Sequence, residues 1–308
     1  MQRAWLQVAG LERSAADVRL PSQLYAVGVT APLVAGDVLS VDTAAAEKCP
    51  GVVAVLTAES MLVDEARRYA PLLRELFPSS VQHAGQLIAL VVAESRSAAS
   101  IAAHNIEVRA RAKTACLTIA AALSTGATQP SVRSQSGAAV EAFAESKTRF
   151  VQTYRMGPRL AGSFADGVAT AVWRDDGLTL FIVGTPTEEL LAKLALRREQ
   201  LLIVSSSVGA ELPVSGPQIL LAAIAARQLR RPVQVMVSTL AAAGVLGEQV
   251  HSVQMGLGDS DRPSALLLRV AIGGSSLTPD SLAAASALAS LYGFSARELS
   301  CVPAQVQL

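Results

Sequence analysis

The sequence predicts an α+β protein built from two successive α/β regions. Three observations carry this. Short apolar, β-branched runs alternate with alanine-rich helical stretches. Proline, glycine and Asp-Gly pairs fall between the runs, where turns need them. Residues 124–139 are small and polar with Gly and Pro, a linker composition, so a linker is expected at 126–140 between regions 1–125 and 141–308.

In chain order, Leu24–Val29 reads as a strand and Val38–Val41 as another, with turn residues Pro32 and Gly36 between them. Asp42 or Thr43 caps a short helix over the alanines, and Pro50-Gly51 ends it. Val52–Leu56 follows as a strand, and Thr57 begins a second short helical stretch. Leu87–Ala93, a helix over Arg96–His104 and a strand at Ile106–Arg109 repeat the scheme. In the second region Arg149–Tyr154, Val168–Trp173 and Leu178–Val183 are strands, the last two joined by a hairpin turn at Asp175-Asp176-Gly177. A helix over Thr187–Leu196 leads to a strand at Leu201–Ser205. Gly216-Pro217 opens a helix to Arg230, since proline suits the first helical turn. Strands at Val233–Val237 and Ala265–Ile272 and a helix at Pro279–Tyr292 complete the series.

Composition excludes several classes. The chain has 308 residues, 51% of them apolar and 17% charged, with a mean hydropathy of +0.39. That is too apolar for disorder. Lys+Arg 26 against Asp+Glu 25 leaves a net charge of +1, so no positive field marks a nucleic-acid binder. Apolar stretches such as Ile219–Ala226 fall far short of the roughly 20 residues a membrane span needs. The N-terminus lacks the basic start and apolar run of a signal peptide, and the expected compartment is the cytoplasm. Cys49, Cys116 and Cys301 are spaced like buried free thiols, and His83, His104 and His251 have no metal-ligand spacing. Gly256-Leu257-Gly258 does not extend to a phosphate-binding glycine loop, and Asp175-Asp176 is explained by its turn. Arg227, Arg230 and Arg231 suit a helix C-terminus. Leu221–Ala226 and the surroundings of Ala285 are apolar all round, which implies burial in a core or an interface.

Two stretches are specific. Val41-Asp42-Thr43, Pro50-Gly51-Val52 and Val91-Val92-Ala93-Glu94-Ser95 resemble the a/b hammerhead domain of the xanthine dehydrogenase/aldehyde oxidase family, the molybdenum hydroxylases. Ala142-Phe143-Ala144-Glu145, Val151-Gln152-Thr153-Tyr154, Ala171-Val172-Trp173 with Asp176-Gly177-Leu178-Thr179-Leu180, and Ala225–Leu229 with Arg231-Pro232-Val233 resemble the entry to its first molybdopterin-binding region. The resemblance covers about residues 18–275. It implies an α+β chain, a hammerhead followed by a mixed α/β domain like the first half of the molybdopterin-binding domain.

The family's cofactor contacts match poorly. Its glycine-rich loop corresponds to Ser207, Val208, Gly209, Ala210, Glu211, Leu212 and Pro213. Added side chains there oppose close backbone approach, Pro213 removes a donor, and Glu211 would repel an anionic pterin phosphate. Gly184-Thr185-Pro186 stands where the family has a glutamine at its metal centre, and Arg159–Asp166 lacks the family's histidine and glutamate. The sequence ends at Leu308, before the family's late general-base glutamate. The resemblance therefore implies a non-catalytic structural or docking subunit or paralogue, with no residue assigned to catalysis or metal binding. No cofactor is expected on this chain alone, and Ser207–Leu212 and Thr185 are its degenerate cofactor-contact residues. A partner would hold the molybdopterin, and iron–sulfur and FAD subunits would complete the complex. Two alternatives remain open: half of a split molybdopterin-dependent subunit, or a free-standing small-ligand binding protein. Substrate stays unassigned.

Overall fold

The computed structural model describes residues 5, 8–11, 15–60, 64–160, 167–183, 188, 192–206, 216–238, 245–273, 287 and 289–306. The architecture is mixed α/β, and contacts gather it into two compact units, each discontinuous in sequence. Unit 1 comprises Met1–Thr114 and Leu160–Gly244, and unit 2 comprises Ala115–Arg159 and Val245–Leu308.

Unit 1 is organised on a seven-stranded sheet. Its strands are β1 (Leu24–Thr30), β3 (Val52–Leu56), β5 (Leu87–Ala93), β10 (Val168–Arg174), β11 (Gly177–Val183), β12 (Leu201–Ser206) and β13 (Val233–Met236). The order is β12-β11-β10-β13-β1-β5-β3. A second sheet of β4 (Ser80–Val81), β2 (Gly36–Asp42) and β6 (Glu107–Ala112) packs Val38, Val81 and Val108 against Val29 and Ile88 of the large one. β5 is buried along its whole length, which is why its sequence is one unbroken apolar run.

The two faces of the large sheet differ. Alternate residues Leu24, Ala26, Ala169, Ala171, Val233 and Val235 meet helix α6 (Pro217–Leu229) and helix α2 (Ala70–Leu76) in the main core. Gln218 to Ala226 of α6 are all buried, so the apolar circumference read from Leu221–Ala226 belongs to this unit's own core. The opposite face carries α1 (Ala44–Glu47) and α3 (Arg96–Ala103), with Ala46, Val91 and Ala102 forming a smaller cluster.

Local chemistry sets the element ends. Asp42 Oδ1 accepts from the Ala44 amide at 3.0 Å at the start of α1, and Gly51 takes φ +81° in the turn after it. Thr57 does not start a helix. Its hydroxyl and that of Ser60 close a tight turn instead, and the regular helix begins only at Ala70. Ser95 caps α3 by accepting from the Ala98 amide at 3.1 Å.

Unit 2 is a five-stranded sheet in the order β7-β17-β16-β15-β8. Its strands are β7 (Val132–Ser136), β8 (Thr148–Met156), β15 (Gln249–Leu257), β16 (Pro263–Gly273) and β17 (Ala296–Ala304). Helices α4 (Ile119–Thr125) and α5 (Ala139–Ala144) pack on it. The short strands β9 (Arg159–Leu160) and β14 (Val245–Leu246) stand where the chain passes between the units. Within the stretch expected as a linker, Val132–Ser136 is a strand, held by pairing to Arg297–Cys301 of β17. Its polar, exposed side chains hide it from composition, because backbone bonds hold it. Gly256-Leu257 belongs to β15 and faces Ala265 and Pro263 across the ladder, so it is no phosphate loop. A Cβ at Gly256 would lie 2.0 Å from Ser146 Oγ, which is why glycine stands there.

Of the helix expected at Thr187–Leu196, Thr187 and Glu189–Leu191 lie outside the described residues, while Lys193–Ala195 is a turn with Ala195 at φ +51°, which a continuing helix does not allow; most of the helix expected at Pro279–Tyr292, with the region around Ala285, lies outside the described residues.

Candidate functional site

Four described strand termini lie together at one end of the seven-stranded sheet. β11 ends at Val183 and the parallel β12 at Ser206, and these two residues are register partners. β10 runs the other way and begins at Val168, which pairs with Met236, the last residue of β13. Segments 161–166, 184–187, 207–215 and 239–244 therefore all begin or finish at this end. Thr185, Ser207, Val208, Gly209, Ala210, Glu211, Leu212 and Pro213 lie outside the described residues. Their flanking strand ends, Val183 and Ser206, are described. The chain leaves β12, passes 207–215, enters α6 and returns as β13, parallel to β12. Carboxyl ends of parallel strands and helix N-termini are where α/β folds hold anionic ligands.

The described rim of this end does not fit a pterin phosphate. Pro217, at the first turn of α6, has no N–H to offer. Gln218 is fully buried beside it, and its carboxamide atoms lie 2.1–2.6 Å from the point a Gly216 Cβ would take. The chain's own amide thus fills the helix entrance. Next to the end of β13 the packing is apolar and tight: a Cβ on Gly28 would meet Leu87 Cδ2 at 2.7 Å and Val237 Cγ1 at 3.0 Å. None of the strand-terminal residues Val168, Val183, Ser206 and Met236 is basic.

The other sequence candidates have structural duties. Asp175 takes φ +51° in the β10–β11 hairpin, and its carbonyl accepts from Arg227 Nη1 at 3.1 Å. Arg227 also pairs with Asp176 at 3.6 Å and stacks 4.6 Å from the Trp173 ring, whose Nε1 donates to the Ala223 carbonyl at 2.8 Å. Arg230 ends α6 in the left-handed region, and Arg231 Nε donates to the Ser22 carbonyl at 2.8 Å. The basic cluster is therefore spread over fold-holding contacts. His251, on β15, bonds Gln249 Oε1 at 3.1 Å, while His83 and His104 bond nearby carbonyls. Among the described residues no group of His, Cys, Asp and Glu could hold a metal ion. Cys301 is 2% exposed, and burial pushes its thiol pKa up. Cys49 and Cys116 are half-buried rather than core, and Asn105 Nδ2 donates to Cys49 Sγ at 3.1 Å. On the small sheet, Lys113 and then Arg111 hold the Asp37 carboxyl below its ordinary value.

One buried polar network carries no sequence signal. Thr170, Gln234 and Tyr25 are lateral neighbours on β10, β13 and β1. Gln234 donates to Thr170 Oγ1 at 3.0 Å, to the Ala15 carbonyl at 3.2 Å and to the Val18 carbonyl at 3.4 Å, and it accepts from Arg96 Nη2. Arg96 also donates to the Ala16 carbonyl at 2.9 Å. The network straps residues 15–18 across the sheet. A lone glutamine in a strand gives no hint of it; only the register supplies its partners.

The fold is that of the first part of molybdenum hydroxylase large subunits. Residues 10–113 match the model of the aldehyde oxidase and xanthine dehydrogenase a/b hammerhead domain. The aldehyde oxidoreductase molybdenum-binding subunit PaoC of Escherichia coli K12 is 28% identical over 227 residues, covering 70% of this chain and 31% of that protein. Quinoline 2-oxidoreductase from Pseudomonas putida 86 superposes with a TM-score of 0.80 at 19% identity, over 99% of this chain and 44% of its own. Reconstituted CO dehydrogenase from Oligotropha carboxidovorans gives 0.80 at 16% identity, over 99% and 44%. In its hammerhead stretch, in the PaoC match and in its fold, the chain is similar to large subunits of the xanthine dehydrogenase/aldehyde oxidase family. It spans 31% of the length of its curated relative. Among the described residues no helix is long and apolar enough to cross a membrane.

Proposed function

We infer that this chain is a non-catalytic structural and docking component of a molybdenum hydroxylase complex. A partner chain supplies the molybdopterin and the catalytic base, iron–sulfur and FAD subunits complete the assembly, and it resides in the cytoplasm. One observation carries the reading. The framework that positions the cofactor loop is present, with β12 and α6 flanking 207–215, while Ser207–Pro213 carries one glycine, a proline and the acidic Glu211. Backbone cannot approach an anionic group closely through those side chains, and the Gln218 amide fills the entrance to α6. Co-purification from the native source tests this. The chain should elute with a molybdenum-containing companion; elution alone overturns the reading.

A second reading takes this chain as half of a split subunit whose cofactor sits between two chains; the strand ends Val183 and Ser206, next to 184–187 and 207–215, stand side by side for it. Substitution of Ser207–Val214 by alternating Gly and Ser discriminates. It would change the molybdenum content of the complex under the split reading and leave it unchanged under the docking reading.

A further inference from the structure

Strand β8 is an edge with an unusual exposure. It is last in its sheet, and every residue from Thr148 to Met156 pairs on one side with β15. Its other side faces no strand among the described residues. All eight residues from Arg149 to Met156 are exposed, with Val151 at 67%, Tyr154 at 57% and Phe150 at 48%. An unpaired row of N–H and C=O groups of this length is a template for another strand.

The side chains say what kind. Alternation puts Arg149, Val151, Thr153 and Arg155 on one face of the sheet and Phe150, Gln152, Tyr154 and Met156 on the other. Neither Arg149 nor Arg155 has an ion-pair partner among the described residues. A ligand lying on one face reaches either the arginines or the aromatic residues, never both. That disfavours nucleic acid, which would need both on one surface. Only an occupant in the plane of the sheet meets both sets, and a β-strand is such an occupant. A second copy of β8 is a poor candidate: antiparallel self-pairing centred on Gln152 sets Arg149 opposite Arg155 twice, and like charges directly across a ladder are destabilising.

We propose that β8 is a docking edge for an extended acidic segment of a partner protein, which adds a sixth strand to the unit 2 sheet. Carboxylates six positions apart in that segment pair with Arg149 and Arg155 on one face, and apolar residues just inside them cover Phe150 and Tyr154 on the other. Backbone bonds supply the strand addition, and the two faces supply its specificity. This deepens the docking reading above and rests on it only for the partner's place in a hydroxylase complex.

The test uses the full chain and a fluorescent heptapeptide, Glu-Val-Thr-Gln-Thr-Ile-Glu, read by anisotropy. The peptide should bind saturably, its Glu→Lys counterpart should not, and amide exchange should slow within Thr148–Met156. The double variant Arg149→Glu, Arg155→Glu, checked for an unchanged circular-dichroism spectrum, should weaken the acidic peptide by about tenfold or more and favour the lysine peptide. If neither peptide binds, the arginines only guard the edge against association and the proposal is overturned. Equal binding of both peptides, protection elsewhere, or a β8-mediated homodimer in sedimentation velocity would overturn it too. The edge and the hydroxylase complex fail separately: peptide binding without a molybdenum companion sinks the functional reading and leaves the edge standing.

Discussion

Replacing Gln234 by leucine keeps roughly the same volume on β13 and removes one amide. That amide, 2% exposed, is the hub of the strap over residues 15–18. Arg96 loses the acceptor of a charge-assisted bond, worth about 2 kcal/mol in a partly buried setting. The Thr170 hydroxyl and the Ala15 and Val18 carbonyls share the lost donors, adding about 1–2 kcal/mol. The expected loss is therefore about 3–4 kcal/mol. Thr170→Val removes one partner of the same hub and should cost about 1 kcal/mol. Urea unfolding followed by circular dichroism, with the slope unchanged, measures both. A Gln234→Leu loss below about 1 kcal/mol, or no greater than that of Thr170→Val, would refute the hub.

Leu221→Ala in α6 should cost about 3 kcal/mol, because Leu221 is fully enclosed by the main core, whereas Leu202→Ala on the exposed side of β12 should stay within about 0.5 kcal/mol; thermal unfolding of both variants reads the difference. Mass-spectrometric alkylation near pH 8 should modify Cys49 and Cys116 well before Cys301, whose burial keeps the thiol protonated. Because the Cys301 value is raised on folding, its contribution is complete below the ordinary thiol value and fades as the pH climbs toward the folded one. Asp37 has the opposite sign: its contribution is present above its ordinary value and is lost as the pH falls through the lowered folded one. In a carbon-detected carboxyl titration, Lys113→Ala should raise the Asp37 midpoint more than Arg111→Ala does.

Elements with strong local chemistry were legible in the sequence. Leu87–Ala93 is an apolar run between turn residues and is a strand with those limits. The Asp175-Asp176 turn holds, because Asp175 adopts the positive φ that a short polar side chain tolerates. Gly216-Pro217 opens α6 as its chemistry requires. What failed was non-local. β7 sits in a polar stretch and exists only through β17, and no element was read at β15, which is held between β8 and β16. Both units are assembled from separated segments, and no local signal marks a chain that leaves a unit and returns. The candidate site shows the same limit. Each contact segment was recognisable by resemblance, but that the strand ends Val183 and Ser206 flanking two of them are side by side follows only from sheet order and register. The Gln234 hub and the β8 edge were invisible because partners remote in sequence (Thr170, Arg96 and residues 15–18), or no partner strand at all among the described residues, define them.

Metal and pterin analysis bears most directly on the central claim, that this chain keeps a hydroxylase's framework without its grip on the cofactor. The protein should be produced in a host that makes molybdopterin, purified to homogeneity, and analysed by inductively coupled plasma mass spectrometry with fluorescence detection of oxidised pterin. The account predicts background molybdenum and no pterin on the isolated chain. Molybdenum and pterin both stoichiometric with the polypeptide would contradict it.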